Sequence, residues 1–529
     1  MNISDMLARN AREYPDDTAL IQIKPSEQLR QEITWREFDE RANRMANALV
    51  DRGIKKGNKV IHWMRNSINW LEAYFGIIRT GAWAVPLNHR FTSGDLKYCA
   101  DIAEAKVMIS SEAFRESIEA VRSQLPTIEK YIMIGQNLPK DMESFEDVID
   151  QSSARPLEIK LDDEDECGLY FTSGTTGAPK PILLTHKNME AVATTEKAHH
   201  YQKHSDNFIL IPPLYHTGSK MHWFGSLLVG GRATLLTEIS PQYIFEAIDK
   251  ERGTIVWLLV PWAQDILKAM DRGELKKEDY NLSNWRLMHI GAQPVPPSLV
   301  KHWKEYFPDM QYDTNYGLSE STGPGCVHLG IENERKVGAI GKAGFNWKTR
   351  IVNEKGEDVP QGEVGELLVK GDGVMKEYYK NPEKTAETIK NGWLYTGDVV
   401  REDDEGFIYI VDRKKDVIVS GGENIYPVEI EEIFHRHPEI YDVGIIGLPD
   451  ERLGEVIAAV IEVKPGVNLT RKEVNEFCEQ NLPKYKRPRY IIFDKVPRNP
   501  TGKIEKPKMR QKYAGLKNNK YINQGGSAM

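Results

Sequence analysis

The 529-residue sequence has only four cysteines, Cys99, Cys167, Cys326 and Cys478, far apart and without a Cys-x-x-Cys pair. That excludes a disulfide framework and a cysteine zinc site, and suits a reducing cytoplasm. Long apolar runs are missing too. The longest strongly apolar stretch, Thr254 to Trp262, is far too short to cross a bilayer, and the N-terminal residues lack the apolar core of a secretion signal. No excess of positive charge exists. The net charge is −8, which leaves no electrostatic footprint for nucleic acid, and the basic stretch from Lys503 to Lys520 reads as a solvated face. There is no repeat of solenoid period and no low-complexity block. GxGxxG, HExxH and GxSxG are all absent, so dehydrogenase, zincin and α/β-hydrolase readings lack their minimum signals. What remains is a soluble, cytoplasmic protein with no nucleic-acid partner and no stable membrane insertion. The sequence carries no signal for an oligomeric state.

Hydrophobic residues make up 40% and charged residues 28%, the balance of a globular protein, and the length implies two or more domains. Helical patterns alternate with short apolar runs in the first half. Trp35 to Arg52 predicts an amphipathic helix, Lys59 to Trp63 a strand, and Ile68 to Thr80 another helix. Further strands are expected at Val107–Ser110, Tyr131–Ile134, Phe208–Ile211, Arg232–Leu236, Ile255–Leu259 and Leu287–Ile290. This rhythm predicts an α/β fold with mostly parallel sheets covered by helices. After about residue 335 the texture shifts to a β-rich lobe, and a small α+β unit follows a charged segment at Asp412 to Asp416. The expected domains are residues 1–414 and 415–529.

The sharpest local feature is Thr172-Ser173-Gly174-Thr175-Thr176-Gly177-Ala178-Pro179-Lys180. Glycines let backbone N–H groups approach a polyphosphate, hydroxyls donate, and a lysine neutralises charge. A plain surface turn has similar composition, but apolar runs at Gly168–Phe171 and Ile182–Thr185 bracket this one. It is not a Walker A loop, because Lys180 is followed by Pro181 and a strand rather than a helix.

From Thr34 to Lys503 the chain resembles the ANL superfamily of adenylate-forming enzymes, in its acyl-CoA synthetase branch. Six motifs occur in the family's order. The loop at Tyr170–Lys180 resembles the phosphate loop, and Gly291-Ala292-Gln293-Pro294 the turn against adenine. Asn315-Tyr316-Gly317-Leu318-Ser319-Glu320 resembles the segment with a stacking tyrosine, an α-phosphate hydroxyl and a Mg²⁺-binding glutamate. Tyr395-Thr396-Gly397-Asp398 and Asp412-Arg413-Lys414-Lys415-Asp416 resemble the ribose-binding aspartate and arginine, with the hinge at Lys415. Pro500-Thr501-Gly502-Lys503 resembles the segment carrying the adenylation lysine. Two positions depart from the pattern: Pro181 replaces a glycine after the loop lysine, and Ser319 replaces a threonine.

The resemblance implies an enzyme that uses ATP, Mg²⁺ and coenzyme A to activate a carboxylic acid as its adenylate and then make its thioester. It also implies a small mobile C-terminal domain, which swings about Lys415 to withdraw Lys503 and present Gly421 and Gly422 to CoA. His216, His222 and Trp223 are the candidates for the acyl pocket, with Trp257 and Trp262 nearby, and Lys220 is expected to be exposed. Plainer readings stand beside these. Asp398 and Arg413 each also fit membership of a structural ion pair, His216 fits a core histidine, the tryptophans ordinary core, and Gly422 a turn glycine. A medium-chain, alicyclic or aromatic acid is expected. The competing functions are an amino-acid-type adenylation domain serving a carrier protein and a non-catalytic nucleotide-binding relative.

Overall fold

The computed structural model describes residues 2–172, 179–498 and 504–516. The chain divides into two compact units, one of Met1–Thr349 with Leu368–Tyr395, the other of Arg350–Leu367 with Thr396–Met529.

Two large sheets build the first unit. In one, Trp83–Pro86, Lys59–Trp63, Val107–Ser111, Lys130–Ile134 and Glu143–Ser144 run parallel. Beyond Trp83–Pro86 lie Glu166–Thr172, parallel to it, then Lys180–Thr185 and Glu377–Tyr378, each antiparallel to its neighbour. The other sheet orders Gln311–Asp313, Leu287–Gly291, Ile255–Leu259, Asn207–Leu210, Arg232–Leu236 and Thr18–Lys24 in parallel, with Leu29–Thr34 antiparallel at its edge. Inner strands such as Ile255–Leu259 are apolar without alternation because both faces are covered.

Local chemistry sets the helix limits. Trp35–Asp51 starts at Thr34, whose hydroxyl accepts from Glu37 N–H while the Glu37 carboxylate accepts from Thr34 N–H. This reciprocal cap contributes about 1 kcal/mol. Trp35, Phe38, Ala42, Met45 and Leu49 then form the buried stripe, each large side chain adding about 1.5–3 kcal/mol on burial. The same reciprocal cap at Thr185 and Asn188 opens His186–His200.

In the second unit, Ile440–Asp450 and Gly454–Val463 form a long antiparallel pair, flanked by Ile418–Ser420 and by Tyr490–Phe493. Ile418, Phe434, Ile445, Ile461 and Cys478 fill one face of this sheet, and Leu448, Val460 and Met509 the other. The helices are Pro427–Phe434, Arg471–Asn481 and Lys506–Tyr513. The run of short strands expected after residue 335 is present, including Lys348–Val352, Val364–Lys370, Trp393–Glu402 and Ile408–Arg413.

Candidate active site

Ser173, Gly174, Thr175, Thr176, Gly177 and Lys503 lie outside the described residues. The two ends of the glycine-rich segment are well defined. Thr172 pairs with Lys180, Phe171 with Pro181 and Tyr170 with Ile182 across antiparallel strands. Pro181 sits where its missing N–H is not needed, and its carbonyl accepts from Tyr379 N–H at 2.9 Å. The Lys180 ammonium lies 5.7 Å from the centre of the Tyr378 ring. The Tyr378 hydroxyl in turn donates to Glu320 Oε1 at 2.7 Å. Burial, reinforced by Glu320, pushes that hydroxyl well above its ordinary pKa, so it remains a donor. A loop cation, a phenol and a half-buried carboxylate are thus brought together from three distant segments.

Glu320 and Ser319 occupy a short turn after the strand Asn315–Leu318, which pairs with Gly323–His328 and carries a bulge between Tyr316 and Gly317. A Cβ on Gly317 would lie 1.9 Å from the Gly323 carbonyl oxygen and 2.6 Å from Pro324 Cα. Only glycine fits there. Gly317→Ala is therefore expected to destabilise the protein by about 2–3 kcal/mol through backbone overpacking. Thermal melts check this, and an unchanged melting temperature would count against the clash.

Asn315 Nδ2 donates to Glu196 Oε1 at 2.9 Å and lies 3.0 Å from His222 Nε2. Tyr316 is buried, at 7% exposure. Gly291 ends the strand Leu287–Gly291, and a Cβ there would stand 3.8 Å from Trp257 Nε1 and 3.9 Å from the Asn315 carbonyl. Ala292 follows at φ +68°, a left-handed conformation uncommon for a residue with a side chain. Gln293 comes next in the turn. The two segments that resemble the adenine site therefore meet at Gly291 and Asn315.

On the acyl side, His216 is half-buried at the start of the helix Thr217–Leu228, its ring 4.3 Å from that of Tyr215. His222 is fully buried and stacks on Trp257 at 4.1 Å, while Trp223 is fully buried beside Phe224. Lys220 corrects an expectation: it is fully buried, not exposed. Its ammonium donates to the carbonyls of Leu214 and His216 and lies 4.4 Å from the Tyr170 ring centre. Burial holds it well below the usual lysine range. Helical spacing turns it inward with His216 four residues earlier, which composition alone does not reveal.

Within the second unit, Asp398 and Arg413 stand opposite each other on paired strands, with Arg413 Nε 2.6 Å from Asp398 Oδ1. Asp398 is buried and Arg413 is partly exposed. Lys415 is exposed in a turn closed by Asp416 N–H donating to the Arg413 carbonyl at 2.8 Å. Gly421 and Gly422 form the two-residue turn between Ile418–Ser420 and Glu423–Ile425, with φ of +61° and +87°. That left-handed geometry by itself calls for glycine.

The AMP-binding enzyme family matches residues 7–379, and the AMP-binding enzyme C-terminal domain matches residues 429–503. The chain belongs to the AMP-binding enzyme family. It is similar to a long-chain-fatty-acid–CoA ligase of Mycobacterium tuberculosis, 31% identical over 97% of this chain and 99% of that protein. It is similar to a 2-succinylbenzoate–CoA ligase of Bacillus cereus, 32% identical over 94% and 96%. Among solved structures, an anthranilate CoA ligase in complex with anthranoyl-AMP superposes with a TM-score of 0.87, at 27% identity and 97% coverage of both chains. This AMP-binding enzyme is an acid–CoA ligase of the adenylate-forming ANL superfamily and uses ATP and CoA. No helix among the described residues is long and apolar enough to cross a membrane.

Tyr378 is the site residue that the motifs do not contain. Its bond to Glu320 spans 58 positions; the antiparallel pairing of Glu377–Tyr378 with Ile182 and Leu183, and the Met375 N–H donated to the Glu320 carbonyl at 2.8 Å, bring it there. Tyr378→Phe is expected to lower the adenylation rate by about tenfold, the worth of one hydrogen bond to a carboxylate. The check is ATP–pyrophosphate exchange across a Mg²⁺ series. An unchanged rate at every Mg²⁺ concentration would mean that the phenol does not orient Glu320.

Proposed function

We propose that this ligase activates a medium-chain, alicyclic or aromatic carboxylic acid, in the cytoplasm, through the residues that match the family motifs. The observation that carries the chemistry is the Lys180–Tyr378–Glu320 arrangement beside the glycine-rich segment. A carboxylate meeting ATP brings two anions together, so the protein's task is positioning and charge neutralisation. Backbone and hydroxyl groups of Thr172 to Gly177, with Lys180, would hold the β- and γ-phosphates. Gly291, Ala292, Gln293, Asn315, Tyr316 and Gly317 would hold adenine, Asp398 and Arg413 the ribose, and Ser319 the α-phosphate.

The Glu320 carboxylate is a hard oxygen donor of the kind Mg²⁺ takes, fixed at one oxygen by Tyr378. When bound there, Mg²⁺ would screen the phosphate charge. Lys503 would neutralise the α-phosphate as the substrate carboxylate oxygen bonds to phosphorus and the bond to pyrophosphate breaks. The thiol sulfur of CoA then attacks the acyl carbon and AMP leaves. Between these steps a C-terminal domain, residues 415–529, would turn about Lys415 and bring Gly421 and Gly422 to the pantetheine.

A Cβ on Gly218 would come within 3.4 Å of the Trp257 ring and 3.1 Å of Pro324, so flat apolar groups stand beside the segment that holds the acyl-pocket candidates. The relatives' names, which cover a long-chain fatty acid, 2-succinylbenzoate and anthranilate, support an acid with a substantial apolar body. CoA-dependent AMP release over acids of graded size tests this. Preference for benzoate-, cyclohexane- or octanoate-sized acids is expected, and preference for acetate would overturn it.

A further inference from the structure

Beneath the adenine turn lies a cluster that adenylation chemistry does not use. His200, at the end of the helix His186–His200, places Nε2 3.0 Å from Asp313 Oδ2. His328, at the end of the strand Gly323–His328, places Nδ1 3.1 Å from the same oxygen. His289 Nδ1 stands 4.0 Å from it and has no hydrogen-bond partner. All four residues are fully buried or within 2% of it. Asp313 is aimed by its other oxygen, Oδ1, which accepts from the N–H groups of Thr314 and Gly330, each at 2.8 Å.

We propose that His200, His289, His328 and Asp313 bind a divalent ion of the zinc type, clasping the helix that ends at His200 to the strands Leu287–Gly291, Gln311–Asp313 and Gly323–His328. The first three reasons are geometric. The ligand atoms of His200, Asp313 and His328 lie within 4.8 Å of one another, and tetrahedral ligands at about 2.0–2.1 Å from zinc stand about 3.3 Å apart. The outward nitrogens each stand near a second group: His200 Nδ1 is 3.2 Å from Glu196 Oε2 and His328 Nε2 is 3.5 Å from Glu196 Oε1, at ion-pair distance without a hydrogen bond, and His289 Nε2 lies 2.7 Å from His222 Nε2. Carboxylates and neighbours behind imidazole ligands are the usual support of such a centre. The donor set, three imidazoles and one carboxylate, suits zinc and the late first-row metals and not Mg²⁺.

Charge is a further reason. Two buried carboxylates, Glu196 and Asp313, need compensating positive charge. Either one divalent ion or two imidazolium rings can supply it, and only the ion also gives His289 Nδ1, which has no hydrogen-bond partner, a group to bind.

The test uses the full-length protein without a histidine tag, produced with zinc in the medium. Metal analysis after gel filtration is expected to give about one zinc per chain. Stripping with a chelator should lower the melting temperature by several degrees, restored by Zn²⁺ and not by Mg²⁺. His328→Gln should lose the metal. Should that variant fail to fold, Co²⁺ loaded into the stripped wild-type protein gives the reading, with the intense visible bands of a tetrahedral site expected. Protein free of stoichiometric metal, with a melt indifferent to chelator and Zn²⁺ and no such Co²⁺ bands, would overturn the proposal and leave the imidazolium pair.

Discussion

Lys503→Ala is expected to cut adenylate formation by about 10²–10³-fold, the cost of removing one charge aimed at a transition state. Thioester formation from pre-made acyl-adenylate should stay within about threefold of the unaltered enzyme, because the proposed turn of the C-terminal domain takes Lys503 out of the site before CoA attacks. The two half-reactions are read separately, the first by pyrophosphate exchange and the second by CoA thioester formed from synthetic adenylate. Equal loss in both assays would assign Lys503 to the fold. Acetylation of Lys503 removes the same charge and should act in the same direction.

The second large effect is expected at the proposed hinge. Lys415 is the third residue of the turn that Asp416 N–H closes onto the Arg413 carbonyl. Proline there fixes φ near −65° and drives Lys414 away from the helical region. Lys414 N–H donates to the Gly397 carbonyl at 2.9 Å, so the substitution resists any rearrangement through this turn. Single-turnover pyrophosphate release should survive, since ATP selects the arrangement that carries Lys503 to the α-phosphate. Transfer to CoA should fall by about 10²-fold, as expected when a gating motion is lost. Lys415→Ala, which keeps the backbone free, should behave like the unaltered enzyme. A thermal melt run alongside separates locking from unfolding. Equal loss of both half-reactions at an unchanged melting temperature would remove Lys415 as the pivot.

Local order was legible in the sequence where local chemistry decides it. The strands Lys59–Trp63, Arg232–Leu236 and Ile255–Leu259 have the limits their apolar runs predict. Elsewhere the limits moved by a residue, as at Asn207–Leu210 and Val107–Ser111, because strand ends follow their neighbours' pairing. The glycine-rich segment was readable as a pinned connection because Thr172 and Lys180 sit in strands of ordinary β pattern. Long-range placement was not legible. Nothing near Lys220 announces burial, Tyr378 reaches Glu320 across 58 positions, and His200 meets Asp313 across 113. Asp398 and Arg413 were read one at a time, yet the strand register makes them a pair.

Product stoichiometry tests the central claim most directly. With ATP, Mg²⁺, CoA and an acid chosen from the graded panel, the reaction should yield AMP, pyrophosphate and acyl-CoA in equal amounts. Omitting CoA should leave the acid-dependent exchange of pyrophosphate into ATP intact. Formation of ADP and phosphate, or exchange that proceeds without any acid, would contradict the account.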